Sequence, residues 1–255
     1  MKRFEKNDMK LSQNFEETYS TLQFSYQFNN EQEKNYLNTT NLDKNIKKKN
    51  HPLTHFLALP LSSKSLEKSL ESIKDSISKK IPLSMFRGHL LSHLTICTLR
   101  LPSYGKIKDA ASLLHTLKNE ISSISNNKKI HIRLRGLGTF PQEPTNCRVV
   151  YLKPSIEESS PTLFPLCEFL IKKFTDAKLT DSDPLVLHST ILNTRYEKSY
   201  KKENRLIDAS FLMEKFPPNF LFGDVTVDKI CIFKMGARET QKGLMYESIC
   251  EISIL

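Results

Sequence analysis

The chain has 255 residues, 38% of them hydrophobic, and a formal net charge of +10 at pH 7. It is long enough to bury a real core. It holds no apolar run near the roughly 20 residues of a bilayer-spanning helix, and the charged start MKRFEKNDMK has no apolar segment behind it, so a membrane span and a secretory signal are both excluded and an intracellular protein of the nucleus, the cytoplasm or both is expected.

Residues 1–50 are rich in Asn, Lys, Glu, Ser and Gln and carry no apolar period, so they are expected to form a disordered polar tail. The cluster Lys44-Asn45-Ile46-Lys47-Lys48-Lys49 reads as a nuclear-import signal, a phosphate-attracting arm or a solvated linker. A folded domain is expected over 52–255.

Within it, Leu53 to Leu61 (LTHFLALPL) reads as a strand, and Ser65 to Lys80 places Leu66, Leu70, Ile73 and Ile77 on one helical face. His93 to Leu101 (HLTICTLRL) is a second strand. Lys106 to Ile124 reads as one helix with Ala110, Leu113, Leu114, Leu117 and Ile121 in its stripe. Ile130 to Phe140 and Cys147 to Lys153 are expected to pair as strands across the turn-forming Pro141 to Asn146. A helix over Thr162 to Ala177 and a strand over Leu185 to Asn193 (LVLHSTILN) follow. The basic segment Arg195 to Asn204 reads as a mobile loop, and Val225 to Met235 and Leu244 to Ile254 as the last two strands. The two halves repeat a similar alternation, which predicts an α/β or α+β protein with two similar lobes.

The 5 cysteines are odd in number, widely spaced and set in apolar runs, without a CxxC pair. They read as reduced core residues, and neither a metal site nor a cofactor is expected. The basic balance favours polyanionic partners without identifying one.

Two short motifs carry the chemistry. His93-Leu94-Thr95-Ile96 and His188-Ser189-Thr190-Ile191 both lie in strand-like runs, one in each half. Alternation puts His93 with Thr95, and His188 with Thr190, on one face of each strand. Two imidazoles can serve as general base and general acid near neutral pH. Two threonine hydroxyls can donate to phosphate oxygens as charge builds there. That set suits cleavage of a phosphate ester without a metal; the competing reading is a pair of hydrogen-bonded core histidines. Of the 7 histidines, the others (His51, His55, His89, His115 and His131) lack this partner and read as structural or surface residues.

With THFLALPL at 54–61, LRGLGTF at 134–140, LHSTILNTRY at 187–196 and FLFGDVTVDKICI at 220–232, the two motifs resemble the two-histidine (2H) phosphoesterase superfamily. The resemblance is to the branch containing the central domain of a protein-kinase-A anchoring protein and the C-terminal domain of subunit one of the activating signal cointegrator complex. It implies an α+β fold of two pseudosymmetric lobes, each a curved, mostly antiparallel sheet with outer helices, around a central cleft. It further implies His93 and His188 as the acid–base pair, Thr95 and Thr190 as phosphate ligands, and 2′,3′-cyclic phosphates, 2′-5′ oligonucleotides or RNA ends as substrates. Arg195 and Tyr196 are candidate phosphate and base contacts at the end of the second motif strand. Phe56 is a candidate wall of the nucleobase pocket, although an aromatic in an apolar strand more often packs inward.

No glycine precedes Gly88, so the GxxG clamp of an RNA-binding KH module, which the cointegrator relatives carry ahead of this domain, is not expected. A kinase-anchoring helix is not expected after the last strand either. The sequence supports a phosphodiesterase first, a non-catalytic nucleotide- or RNA-binding module second, and a subunit of a transcription or RNA-repair complex third.

Overall fold

A computed structural model describes residues 52–181, 185–199 and 206–255. The tail expected over 1–50 with its lysine cluster, His51, and residues 200–204 of the loop expected after Arg195 lie outside the described residues.

The described elements are β1 (His55–Pro60), α1 (Lys64–Ile77), β2 (His93–Leu99), α2 (Tyr104–Thr116), α3 (Lys118–Ile124), β3 (Ile130–Phe140) and β4 (Val149–Pro154). They continue with α4 (Leu163–Asp176), β5 (Ser189–Asn193), α5 (Ser210–Lys215), β6 (Leu221–Val227), β7 (Lys229–Lys234), β8 (Arg238–Thr240), β9 (Gly243–Met245) and β10 (Ser248–Ser253). One four-stranded sheet runs β10-β7-β1-β2 and the other β5-β4-β3-β6, all pairs antiparallel, while β8 and β9 form a separate hairpin. This is the expected α+β architecture of two related sheets.

The relation between the sheets is close. In each, a strand, a helix and an edge strand follow in order: β1, α1, β2 in one and β4, α4, β5 in the other. Ala58 pairs with Thr95 and Leu57 with Cys97, so the ladder skips Ile96. Tyr151 pairs with Thr190 and Val150 with Leu192, so it skips Ile191. Each edge strand therefore carries a bulge at the same place, immediately after its threonine. A bulge sharpens local twist and re-aims neighbouring side chains.

Helix α1 is set by sequence as expected. Ser63 caps it by accepting from the Leu66 amide at 3.2 Å, and Leu66, Leu70, Ile73 and Ile77 form its buried face. It packs on β6 of the second sheet, and α4 packs on β2 of the first, so each connecting helix touches the opposite sheet. Leucines 59, 66, 94, 152, 166 and 192 lie within one continuous apolar core. All five cysteines are free and buried.

Four expected elements differ. The helix expected over Lys106 to Ile124 breaks at Leu117 (φ −82°, ψ 1°) into α2 and α3. The strand expected over Val225 to Met235 is two strands in different sheets, with Asp228 between them. The last strand is β9 and β10 with a break at Tyr246 and Glu247, because the first part belongs to the hairpin. Only Ser189 to Asn193 of the run Leu185 to Asn193 pairs as strand, so His188 lies just before β5 rather than within it. The loop expected from Arg195 opens as a short 3₁₀ turn over Thr194–Tyr196.

Candidate functional site

The two motifs sit on the edge strands of the two sheets, and these edges approach each other. Along β2, Leu94 and Ile96 are buried while His93 and Thr95 are half-buried; Ser189 and Ile191 are buried while His188 and Thr190 are half-buried. Pleating makes this division along β2 and, from Ser189 onward, along β5. The isoleucine closing each motif is the bulged residue, and it fills the core at 4% and 0% exposure.

Each imidazole is held in the same way. His93 Nδ1 lies 2.7 Å from the Leu91 carbonyl and His188 Nδ1 lies 2.8 Å from the Val186 carbonyl, two residues upstream in both cases. A carbonyl only accepts, so both rings carry the proton on Nδ1 and leave Nε2 as an unprotonated acceptor. Neither Nε2 nor either threonine hydroxyl has a hydrogen-bond partner among the described residues.

Both rings are also caged by aromatics. His93 packs against Phe56 (centroids 4.8 Å) and the edge of Tyr246 (5.4 Å). His188 meets Phe140 (5.2 Å) and Tyr151 (5.3 Å), which stack on each other at 4.5 Å. Removal from water penalises the imidazolium, so burial pushes His93 down to about 4, its hydrogen bond to Leu91 opposing and the nearby His188 adding to the depression. Burial lowers His188 as well, against its hydrogen bond to Val186. That His188 is felt by His93 places the two rings in one electrostatic neighbourhood.

Of the weaker candidates, Phe56 is 5% exposed and packs on His93, Phe233 and Tyr246, which makes it a support for the imidazole. Arg195 is exposed, and its guanidinium lies 5.7 Å from the Tyr196 ring. Tyr196 hydrogen-bonds Tyr246, which joins the end of the second motif strand to the ring beside the first histidine.

Sequence reasoning missed Arg87, Tyr151, Phe140 and Tyr246. Arg87 is 7% exposed, and its guanidinium stacks on Tyr196 at 3.8 Å. Its amide donates to the Ile191 carbonyl at 2.8 Å, and the neighbouring Phe86 bridges to Leu192. These four residues reach the site only through pairing distant in sequence. The one local signal is the run Gly136-Leu137-Gly138, whose glycines admit close neighbours. Elsewhere, His131 pairs with Asp224 (3.2 Å), His115 touches Cys250 (3.5 Å) and His55 bonds Thr54 (2.8 Å), away from the motifs. Among the described residues no three His, Cys, Asp or Glu side chains converge as metal ligands, and no helix is long and apolar enough to cross a membrane.

Comparison with known proteins agrees with this fold. The family model of the AKAP7 2'5' RNA ligase-like domain matches residues 53–254. A Schizosaccharomyces pombe protein, C15D4.13c, is 31% identical over 207 residues, covering 80% of this chain and 98% of its own. The mouse activating signal cointegrator 1 complex subunit 1 is 24% identical over 210 residues, covering 72% of this chain and 59% of the mouse protein. Among solved structures, E. coli LigT complexed with 3'-AMP aligns with a TM-score of 0.50 at 18% identity, covering 80% of this chain and 98% of that one. TT0787 of Thermus thermophilus aligns with a TM-score of 0.50 at 20% identity over 79% and 98% of the two chains.

Proposed function

The chain belongs to the AKAP7 2'5' RNA ligase-like domain family, a branch of the 2H phosphoesterase superfamily, and we propose from that premise that its two histidine motifs together cleave a phosphodiester by acid–base catalysis. The substrate class is an RNA end, a 2′,3′-cyclic phosphate or a 2′-5′ oligonucleotide. One observation carries the reading: two imidazoles of the same tautomer, each with a free Nε2 and a free threonine hydroxyl two residues on, stand in duplicate strand-and-bulge frames.

In this reading one Nε2 takes a proton from water or a ribose hydroxyl, whose oxygen attacks phosphorus. The other imidazole, protonated, gives its proton to the departing oxygen as the ester bond breaks. Thr95 and Thr190 donate to the non-bridging oxygens, whose negative charge grows in the transition state. A bound phosphate also raises both imidazole pKa values, supplying the imidazolium that the ligand-free site disfavours. Arg195 and Tyr196 are assigned to the flanking phosphate and base. The 3'-AMP in E. coli LigT supports a nucleotide ligand. The name of the mouse relative supports membership of a complex for this chain.

A second reading has its own support. With His93 held near 4, the protonated partner is scarce at neutral pH, which favours a module that binds nucleotide or RNA without turnover. Hydrolysis of a 2′,3′-cyclic nucleotide, a 2′-5′ dinucleotide and a short RNA, in excess chelator, separates the two. Turnover by the wild type and none by the His93→Ala/His188→Ala protein is the expected result. Nucleotide binding without turnover by the wild type transfers the assignment to the binding module.

A further inference from the structure

Arg87 is a buried cation without an anion. Among the described residues no carboxylate pairs with it: its Nη2 donates to the Ser84 carbonyl at 2.5 Å, and its Nε is buried with no partner. Buried charges are ordinarily neutralised, because removing a guanidinium from water is costly. Stacking on Tyr196 at 3.8 Å and the single carbonyl contact offset only part of that cost. The position is firmly built. The Arg87 amide is tied to Ile191, next to Thr190. Its ring partner Tyr196 bonds Tyr246, which touches His93. Glu197 accepts from Ser84, fastening the two segments to each other. The side chain thus spans from the second motif strand toward the first histidine, in a wall where neither imidazole supplies positive charge in the ligand-free state.

We infer that Arg87 is a specificity-determining residue whose unbalanced buried charge is completed by the phosphate of the ligand held between the two motifs. This rests on the reading of the two motifs as a phosphate site, and it adds a residue that they do not contain. A neutral ligand of the same shape leaves the guanidinium uncompensated, so the site selects for anionic charge before it selects for a base. Burial of the guanidinium limits the competition from water that weakens exposed arginine–phosphate pairs.

The test is titration of the full chain with inorganic phosphate, comparing wild type, Arg87→Met and Arg87→Lys, with thermal melting of each ligand-free protein. Methionine keeps a flexible stem against Tyr196 and removes the charge; lysine keeps the charge and loses the fork. The expected result is about a tenfold or greater loss of phosphate affinity in Arg87→Met. Arg87→Lys is expected to hold an intermediate affinity, and the ligand-free Arg87→Met protein to melt no lower than wild type. Unchanged phosphate affinity in folded Arg87→Met, or no phosphate binding by the wild type, overturns the inference. An Arg87→Met protein whose lower melting accounts for its lost phosphate affinity also assigns the charge a structural role only. Turnover is read separately: loss of phosphate binding in Arg87→Met with an inactive wild type keeps this inference and removes the hydrolase reading. An active wild type with unaltered phosphate binding in Arg87→Met does the reverse.

Discussion

The Tyr151 ring occupies the space that a side chain at Gly138 would need: a Cβ placed on Gly138 comes 2.4 Å from Tyr151 Cζ. The two residues face each other across β3 and β4, and the same ring packs on His188 at 5.3 Å. Gly138→Ala therefore pushes Tyr151 toward the imidazole. The expected cost is about 1–3 kcal/mol of stability, with loss of activity beyond what the lower stability explains. Imidazole resonances by NMR check the cause: those of His188 shift, while those of His93 stay in place.

The caged histidines predict a pH dependence. His93 titrates near 4 in the folded ligand-free protein against an ordinary 6.5. Between those values the unfolded chain binds a proton that the folded one refuses, so this residue's contribution to stability falls as pH drops from about 6.5 toward about 4. Below about 4 it falls no further. Chemical denaturation across that window shows the loss, and His93→Gln removes this residue's share of it. NMR titration with saturating phosphate moves the His93 pKa upward.

The threonine hydroxyls are free in the described structure, so removing them leaves nothing unsatisfied. Thr95→Val and Thr190→Val are expected to melt within a few degrees of wild type while weakening phosphate binding about tenfold each. Calorimetric titration beside a thermal melt makes the comparison. A loss of stability that accounts for the loss of affinity contradicts the assignment.

Tyr246 joins the two ends of the site through its hydroxyl, since its ring lies against His93 and its oxygen bonds Tyr196. Burial, with the Tyr196 phenol adding to it, pushes its ionisation well above the ordinary tyrosine range. Tyr246→Phe keeps the ring and breaks the bond, costing about 1 kcal/mol. Ultraviolet titration of the wild type shows a late-ionising component, and the variant loses one tyrosine from it.

Much of this molecule is legible in its sequence, and the limit is physical. Apolar strand runs and one helical period located β1, α1 and β2, because local burial sets them. The same kind of run hid the break at Asp228: apolar residues continue on both sides of it, and only the partner strands reveal that β6 and β7 belong to different sheets. Leu117 hid the break between α2 and α3 for a like reason, since it stays buried at 4% exposure and keeps the stripe intact. In the site, the His and Thr residues could be named because each pair lies within one short run of sequence. Arg87 could not, because its burial depends on Phe86 bridging to Leu192 across the fold. The bulges after Thr95 and Thr190 were hidden likewise, as a register exists only between two strands.

The strand order has a bearing on synthesis. The sheet that carries His93 is finished by β7 and β10, from the far end of the chain. At about 5–20 residues per second, the ribosome releases β1 and β2 on the order of ten seconds before β7 can join them. Throughout that interval the apolar edge of β1, with Phe56 and Leu57, waits for Phe233 and Ile232. The nascent chain thus has a period of exposure that the finished protein conceals, and one in which chaperone cover matters most.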